Sequence, residues 1–143
     1  MRRLILTAAL AVLLATPAAA DEAQRLFVTV TGAGLQERAM PLVLANQALD
    51  QGAEVRVLLC GAGGELALEA YEAYEAPTLA PRGVTAKQLL GRLMQQGATV
   101  EVCAIFLPNT EHEAADLTDG IGTADPADVA AWMMAPGTRL LTQ

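Results

Sequence analysis

Two cysteines and one histidine are the side chains of this sequence best suited to covalent or acid–base chemistry. Cys103 lies near the end of an apolar, β-rich run, QGATVEVCAIFLPN. A reactive thiol needs a lowered pKa and access to its reactant. A helix predicted to begin near Thr110 would direct its N-terminal dipole at Cys103, and His112 would act as base or counter-ion. These catalytic roles compete with simpler ones, in which Cys103 is a small buried hydrophobe and His112 a solvated residue in the first helical turn.

Glycine-rich turns form a second candidate site. One turn carries Gly32 and Gly34, and another follows Cys60. Glycine turns that lead into helices can present backbone N–H groups to an anion. The predicted ligand-binding or cofactor-binding residues are Gly32, Gly34, Cys60, Gly61, Gly63, Gly64 and Asn109. A dinucleotide fingerprint is incomplete, because Glu37 stands where its third glycine belongs, and the same glycines also suit tight turns.

Composition argues against several functional classes. A single histidine and two distant cysteines give no ligand spacing of the zinc type, so we predict neither a metal nor a cofactor. The sequence contains no serine, which removes serine-nucleophile hydrolysis. The formal net charge of −7 argues against nucleic-acid binding, which depends mainly on lysine and arginine.

The N-terminus has the features of a secretory signal peptide. Arg2 and Arg3 precede an apolar stretch and a small-residue triplet that ends at Ala20. We expect cleavage of residues 1–20, a periplasmic or secreted product, and one domain over residues 21–143. No segment reaches the roughly 18 apolar residues that a membrane helix needs, so no membrane association is expected after cleavage. In an oxidising compartment, a structural disulfide between the two cysteines is a natural alternative to a reactive thiol.

Strand-like and helix-like patterns alternate along residues 21–143. Strands are predicted over residues 26–31, 53–60, 99–107 and 138–141, and helices over residues 37–51, 65–76 and 110–117. Two more helices are predicted after a capping box at Thr85 and after Asp125, and Pro41 favours a start of the first helix near Met40. Because parallel strands need crossover connections, this alternation predicts the α/β class with helices on both faces of a parallel sheet.

Three segments, taken in order, resemble the DsrE/DsrF-like family, also called the YchN-like fold. They read LANQALDQGAEVRVLLC, KQLLGRLMQQGATVEVCAIFLPN and DLTDGIGTADPADVAAWM. The resemblance implies a single three-layer domain with a five-stranded, mainly parallel sheet in the flavodoxin-like strand order 2-1-3-4-5. It also implies a homo-oligomer and, as in some members, a persulfide-forming cysteine at the position of Cys103. Many members place a serine and an arginine-glycine pair after that cysteine, whereas Phe106 to Asn109 follow it here.

Two functional hypotheses follow from the resemblance. In the first, Cys103 handles sulfur, as in a sulfur relay, at an oligomer-formed pocket that takes a small sulfur-containing or anionic ligand. In the second, the chain is a noncatalytic binding module that uses the glycine-lined strand ends or a face carrying Tyr71 and Tyr74. If the strand order follows the family, Cys60 and Cys103 are two strand spacings of about 4.8 Å apart, too far for a disulfide.

Overall fold

The computed structural model describes residues 24–73 and 77–142, and within them the chain forms one parallel sheet with helices on both faces. The predicted signal peptide and Tyr74 lie outside the described residues. The strands are β1 (Arg25–Val30), β2 (Glu54–Leu59), β3 (Thr99–Val102), β4 (Gly122–Thr123) and β5 (Thr138–Leu141), and the helices are α1 (Leu35–Asp50), α2 (Ala86–Gln95) and α3 (Pro126–Met134). The α/β class and the five-stranded parallel sheet are confirmed.

The predicted strand order 2-1-3-4-5 is wrong, because the sheet runs β4-β3-β2-β1-β5. Helices α1 and α2 pack against each other on one face of the sheet. The crossover from β1 to β2 and the crossover from β2 to β3 therefore run in the same direction across the sheet, which places β2 between β1 and β3. Right-handed crossovers that step in one direction keep their helices on one face. The chain then returns through α3 to the far side of β1, where β5 pairs in parallel.

The face of the sheet under α1 and α2, here called the helix-pair face, is closed. Val57, Leu59 and Val102 supply strand side chains with no exposed surface, and Leu42 of α1 and Leu93 of α2 cover them with equally complete burial. Apolar burial of this kind stabilises the fold by roughly 25 cal/mol per Å² of surface removed from water. The helix-pair face therefore contains the main hydrophobic core.

The opposite face, here called the α3 face, is covered by one helix of nine residues. Phe27 of β1 packs against Trp132 with ring centroids 5.9 Å apart. Beside them, the buried guanidinium of Arg56 donates to the Glu101 carboxylate at 2.8 Å, which pairs a charge that would be costly alone. Leu140 and Met134 remain exposed, so this face is only partly covered.

Helix α1 begins earlier than Pro41 suggests. The Glu37 carboxylate accepts the Gly34 N–H at 2.9 Å, which caps the helix at Gly34 and starts it at Leu35. Pro41 then lies well inside the helix and is fully buried. The packing of its ring in the core outweighs the loss of one helical hydrogen bond. The predicted start near Met40 is therefore wrong.

Two predicted α-helices are replaced by short 3₁₀ segments. Between β2 and α2 these are Gly61–Ala67 and Glu69–Ala73, separated by the extended residue Leu68. Between β3 and β4 they are Leu107–Asn109 and Ala114–Asp116. No α-helix begins at Thr110, which instead follows the first of these two turns.

Candidate functional site

Cys103 is the first residue after β3, at the sheet edge where the carboxyl ends of all five strands lie. Its N–H donates to the Leu59 carbonyl at 2.9 Å, and its own carbonyl accepts the Phe106 N–H at 2.9 Å. The β3 ladder thus continues for one residue before the chain turns. Only 8% of Cys103 is exposed.

Two clefts meet at Cys103, which lines both of them together with Ile105. The larger, here called the rim cleft, has a volume of about 510 Å³ and is also lined by Gly61, Ala62, Glu65, Phe106, Asn109, Thr110 and His112. The smaller, here called the apolar cleft, has a volume of about 330 Å³ and is also lined by Leu58, Ala104, Ala124, Pro126, Val129, Ala130 and Met133. A thiol with little exposed surface therefore still borders two openings.

His112 lies in the rim cleft with Cys103. Its ring stacks on Phe106 with centroids 6.4 Å apart, and its Nδ1 lies 3.9 Å from the Asp116 carboxylate. The prediction that a helix beginning near Thr110 directs its dipole at Cys103 is wrong, because Thr110 follows a three-residue 3₁₀ turn, Leu107–Asn109, and no α-helix begins there. His112 is the one imidazole among the described residues that line this cleft, so it is the candidate base there.

Cys60 is a direct neighbour of Cys103. Because β2 and β3 are adjacent and Leu59 pairs with Val102, the next residues of the two strands are the two cysteines. The predicted separation of two strand spacings is therefore wrong. Burial, and then the hydrogen bond and charge of Cys103, raise the pKa of the Cys60 thiol from 9.0 to about 12. Both cysteines are free thiols.

Close packing accounts for most of the glycines predicted to bind a ligand. A Cβ at Gly63 would meet the Val30 carbonyl, and one at Gly64 would meet the Phe106 ring. Gly32 faces the Glu37 side chain, which also accepts the Gly34 N–H. Of the predicted binding residues, Gly61 and Asn109 line the rim cleft, whereas Gly32, Gly34, Cys60, Gly63 and Gly64 do not. The N–H groups of Gly63 and Gly64 donate to the Thr31 and Cys60 carbonyls.

Arg38 organises the wall of the rim cleft and was missed in the sequence. From α1 it donates to the Tyr71 hydroxyl at 2.7 Å, to the Glu65 carboxylate at 2.8 Å, and to the Gly32 and Ala62 carbonyls. One guanidinium thus ties together the connections that follow β1 and β2. Its burial could have been predicted from helical spacing, since Arg38 lies on the same helical face as the buried residues Leu42 and Ala45.

Two features are absent from the part of the chain that the structure describes. No group of three or more histidine, cysteine or acidic side chains is placed to hold a metal ion. No helix in residues 24–73 and 77–142 is long and apolar enough to cross a membrane.

Two solved structures share this architecture. The ychN protein of E. coli matches with a TM-score of 0.68 at 20% sequence identity, over 84% of this chain and 99% of that one. A protein of unknown function from Methanobacterium thermoautotrophicum matches with a TM-score of 0.57 at 13% identity, over 84% and 99% of the two chains. No protein-family model and no curated protein matches the chain. The chain therefore has the YchN-like fold that its sequence resembles, and identities this low establish the fold alone.

Proposed function

We propose that this chain is an exported member of the DsrE/DsrF-like family in which Cys103 accepts a sulfur atom as a persulfide. The YchN-like fold supports the family, because the sequence resemblance and the architecture agree. The observation that carries the proposal is the position of Cys103 at the end of β3, where it lines the rim cleft together with His112. A nucleophile and a proton acceptor thus border one opening.

Sulfur transfer to Cys103 needs no external oxidant. The Cys103 thiolate attacks the outer sulfur of a donor persulfide, R–S–SH, and forms a new S–S bond. The S–S bond of the donor breaks, its electron pair leaves with R–S⁻, and the protein carries Cys103–S–SH. His112 accepts the proton that Cys103 releases and returns it to R–S⁻, so the histidine ends the cycle unchanged.

The lining of the rim cleft favours a small donor without a strong negative charge. Among the described residues of its lining, His112 alone can become positively charged, and Glu65 is acidic. The nearby guanidinium of Arg38 is already paired with Glu65 at 2.8 Å. A small alkyl persulfide therefore fits this electrostatic environment better than a highly charged anion does.

We also propose that the protein assembles into a homo-oligomer. Large exposed apolar side chains support this: Met40, Leu44, Ile105, Met134 and Leu140. Ile105 borders both clefts and is 70% exposed, so a second copy seated on it would complete a wall of the site. Light scattering on the purified protein gives the assembly mass, and a monomer at micromolar concentration would contradict this part of the proposal.

The sulfur-transfer proposal is tested by intact-mass measurement before and after exposure of the reduced protein to a small alkyl persulfide. We expect one added sulfur atom in Cys60→Ser and none when Cys103→Ser is added to it; in the native protein, Cys60 can displace hydrosulfide from Cys103–S–SH, so the product there is either the added sulfur or a Cys60–Cys103 disulfide two hydrogens lighter. Cys60→Ser is the informative protein because it removes the neighbouring thiol and keeps Cys103, and the double variant is its matched control. His112→Ala should slow the addition by roughly 10²-fold.

Absence of sulfur addition in folded Cys60→Ser would contradict the proposal and favour the noncatalytic binding module. Export is tested separately, by N-terminal sequencing of protein recovered from outside the cytoplasm. The expected first residue is Asp21, and a chain that still begins at Met1 would contradict a cleaved signal peptide.

A further inference from the structure

Cys60 and Cys103 occupy corresponding positions at the ends of adjacent strands. The register pairs Leu59 with Val102, and each cysteine is the next residue of its strand. The ladder continues beyond that pair, since the Cys103 N–H donates to the Leu59 carbonyl at 2.9 Å. Neighbouring strands lie about 4.8 Å apart. This spacing falls within the Cα separations of about 4.4–6.8 Å that a disulfide spans.

The two thiols also project in the same direction. Side chains alternate along a strand, so paired positions of parallel strands lie on one face of the sheet. Leu59 and Val102 are both buried on the helix-pair face, and the two residues that follow them share one side of the strand ends, where both contact the main hydrophobic core. Cys60 keeps an extended backbone, with φ −136° and ψ 161°, which preserves the alternation. The contact between the two thiols follows from the register.

We propose that Cys60 and Cys103 form a redox dithiol that exchanges with organic disulfides and closes reversibly into a Cys60–Cys103 disulfide. This activity goes beyond sulfur acceptance at Cys103, because it uses both thiols and needs no persulfide. The rim cleft gives the incoming disulfide access to Cys103, and access is a requirement for exchange.

The exchange has two steps. In the first, the Cys103 thiolate attacks one sulfur of R–S–S–R, forms Cys103–S–S–R, and releases R–S⁻, which takes the proton that Cys103 lost. In the second, Cys60 gives up its proton and attacks the Cys103 sulfur, and the second R–S⁻ leaves and takes that proton. The two cysteines lose two electrons, and the organic disulfide gains them as two thiols.

The surroundings of the two thiols indicate which one reacts first with the incoming disulfide. Cys103 lines both clefts, whereas Cys60 lines neither. Cys60 also keeps its proton at neutral pH, because burial and the neighbouring cysteine raise its pKa. A protonated thiol is a poor nucleophile. Cys103 therefore meets the incoming disulfide in the rim cleft, and Cys60, the more exposed residue of the two but the one held protonated, resolves the mixed disulfide.

The test is a redox titration of the reduced native protein in buffers of reduced and oxidised glutathione. Acid quenching, alkylation and intact-mass measurement count the free thiols. We expect one transition, from two alkylated thiols to none, with a product two hydrogens lighter and one cross-linked peptide pair. Two alkylated thiols throughout, or glutathione on each cysteine without a cross-link, would overturn the proposal.

Two variants separate the roles of the thiols. Cys60→Ala lacks the resolving thiol and should accumulate a glutathione adduct at Cys103, roughly tenfold or more above the native protein. Cys103→Ala should form its adduct at Cys60 more slowly. Equal adduct levels in the native protein and Cys60→Ala would contradict resolution by Cys60.

The native titration remains decisive if either variant fails to fold. The oxidised native protein must keep its cooperative melting, because a bond that forms only in the unfolded chain would contradict the proposal. A failed persulfide addition leaves this result standing, so the two proposals fail separately.

Discussion

The two faces of the sheet are built differently, and the difference separates stability from chemistry. On the helix-pair face, α1 and α2 bury the strand side chains completely. On the α3 face, one short helix covers Phe27 and leaves the apolar cleft and exposed side chains such as Leu140. Cys103 lies at the edge where this incomplete cover reaches the strand ends. A closed face can hold the fold while the open side provides access to Cys103.

The largest expected effect comes from removing the same side chain on the two faces. Leu93→Ala empties a fully buried site on the helix-pair face and should lower the free energy of unfolding by about 2–5 kcal/mol. Leu140→Ala, on the α3 face and 52% exposed, should lower it by less than about 1 kcal/mol. Urea denaturation at one protein concentration measures both. Equal losses would show that the α3 face is as closed as the other.

A smaller effect is expected where the connection after β2 packs against β1. Gly63→Ala would push a methyl group into the Val30 carbonyl, so we expect a loss of about 1–3 kcal/mol in the free energy of unfolding. Gly91→Ala is the matched control, because Gly91 lies inside α2 and the added Cβ would point into open space. This change should stabilise the protein by up to about 1 kcal/mol. A neutral result for Gly63→Ala would contradict the close approach.

The smallest expected effect is a dependence of stability on pH that originates at Cys60. Its folded pKa is raised from 9.0 to about 12, so the folded protein retains a proton that the unfolded chain releases in this window. The contribution of Cys60 is fully present below about pH 9 and is lost as the pH rises toward 12. The slope is therefore negative between about pH 9 and pH 12, and it is shallow because solvent screens a thiol that is only partly buried.

Denaturation of the reduced protein at several pH values above 9 tests this dependence. Stability should fall more steeply in the native protein than in Cys60→Ala. Identical slopes would show that the Cys60 thiol is not held protonated by its surroundings.

Local signals in the sequence predicted much of the fold. The capping box of Thr85 and the Asp125–Pro126 pair each precede a helix as expected. Gly52 and Gly97 follow α1 and α2 with φ values of 86° and 90°, which only glycine adopts readily. The last strand has its predicted bounds, Thr138–Leu141. These features depend on neighbouring residues and can be read without knowledge of the tertiary structure.

Features that depend on distant residues could not be predicted in the same way. Composition predicted an α-helix over residues 65–76, but the described part of this range forms 3₁₀ turns, where Glu65 and Tyr71 bond to Arg38 of α1. Strand order depends on the packing of α1 against α2, which no local pattern encodes. The error in strand order carried directly into the site, since it separated two cysteines that are neighbours.

Both proposals require that the Cys103 thiol be reachable in the folded protein. Alkylation of the native, reduced protein with a small reagent, followed by peptide mapping over a series of low urea concentrations, measures this directly. We predict that Cys103 is modified before Cys60, at a rate that does not change with urea below the unfolding transition. Modification of Cys103 only at the rate of global unfolding, rising with urea in parallel with it, would contradict the account.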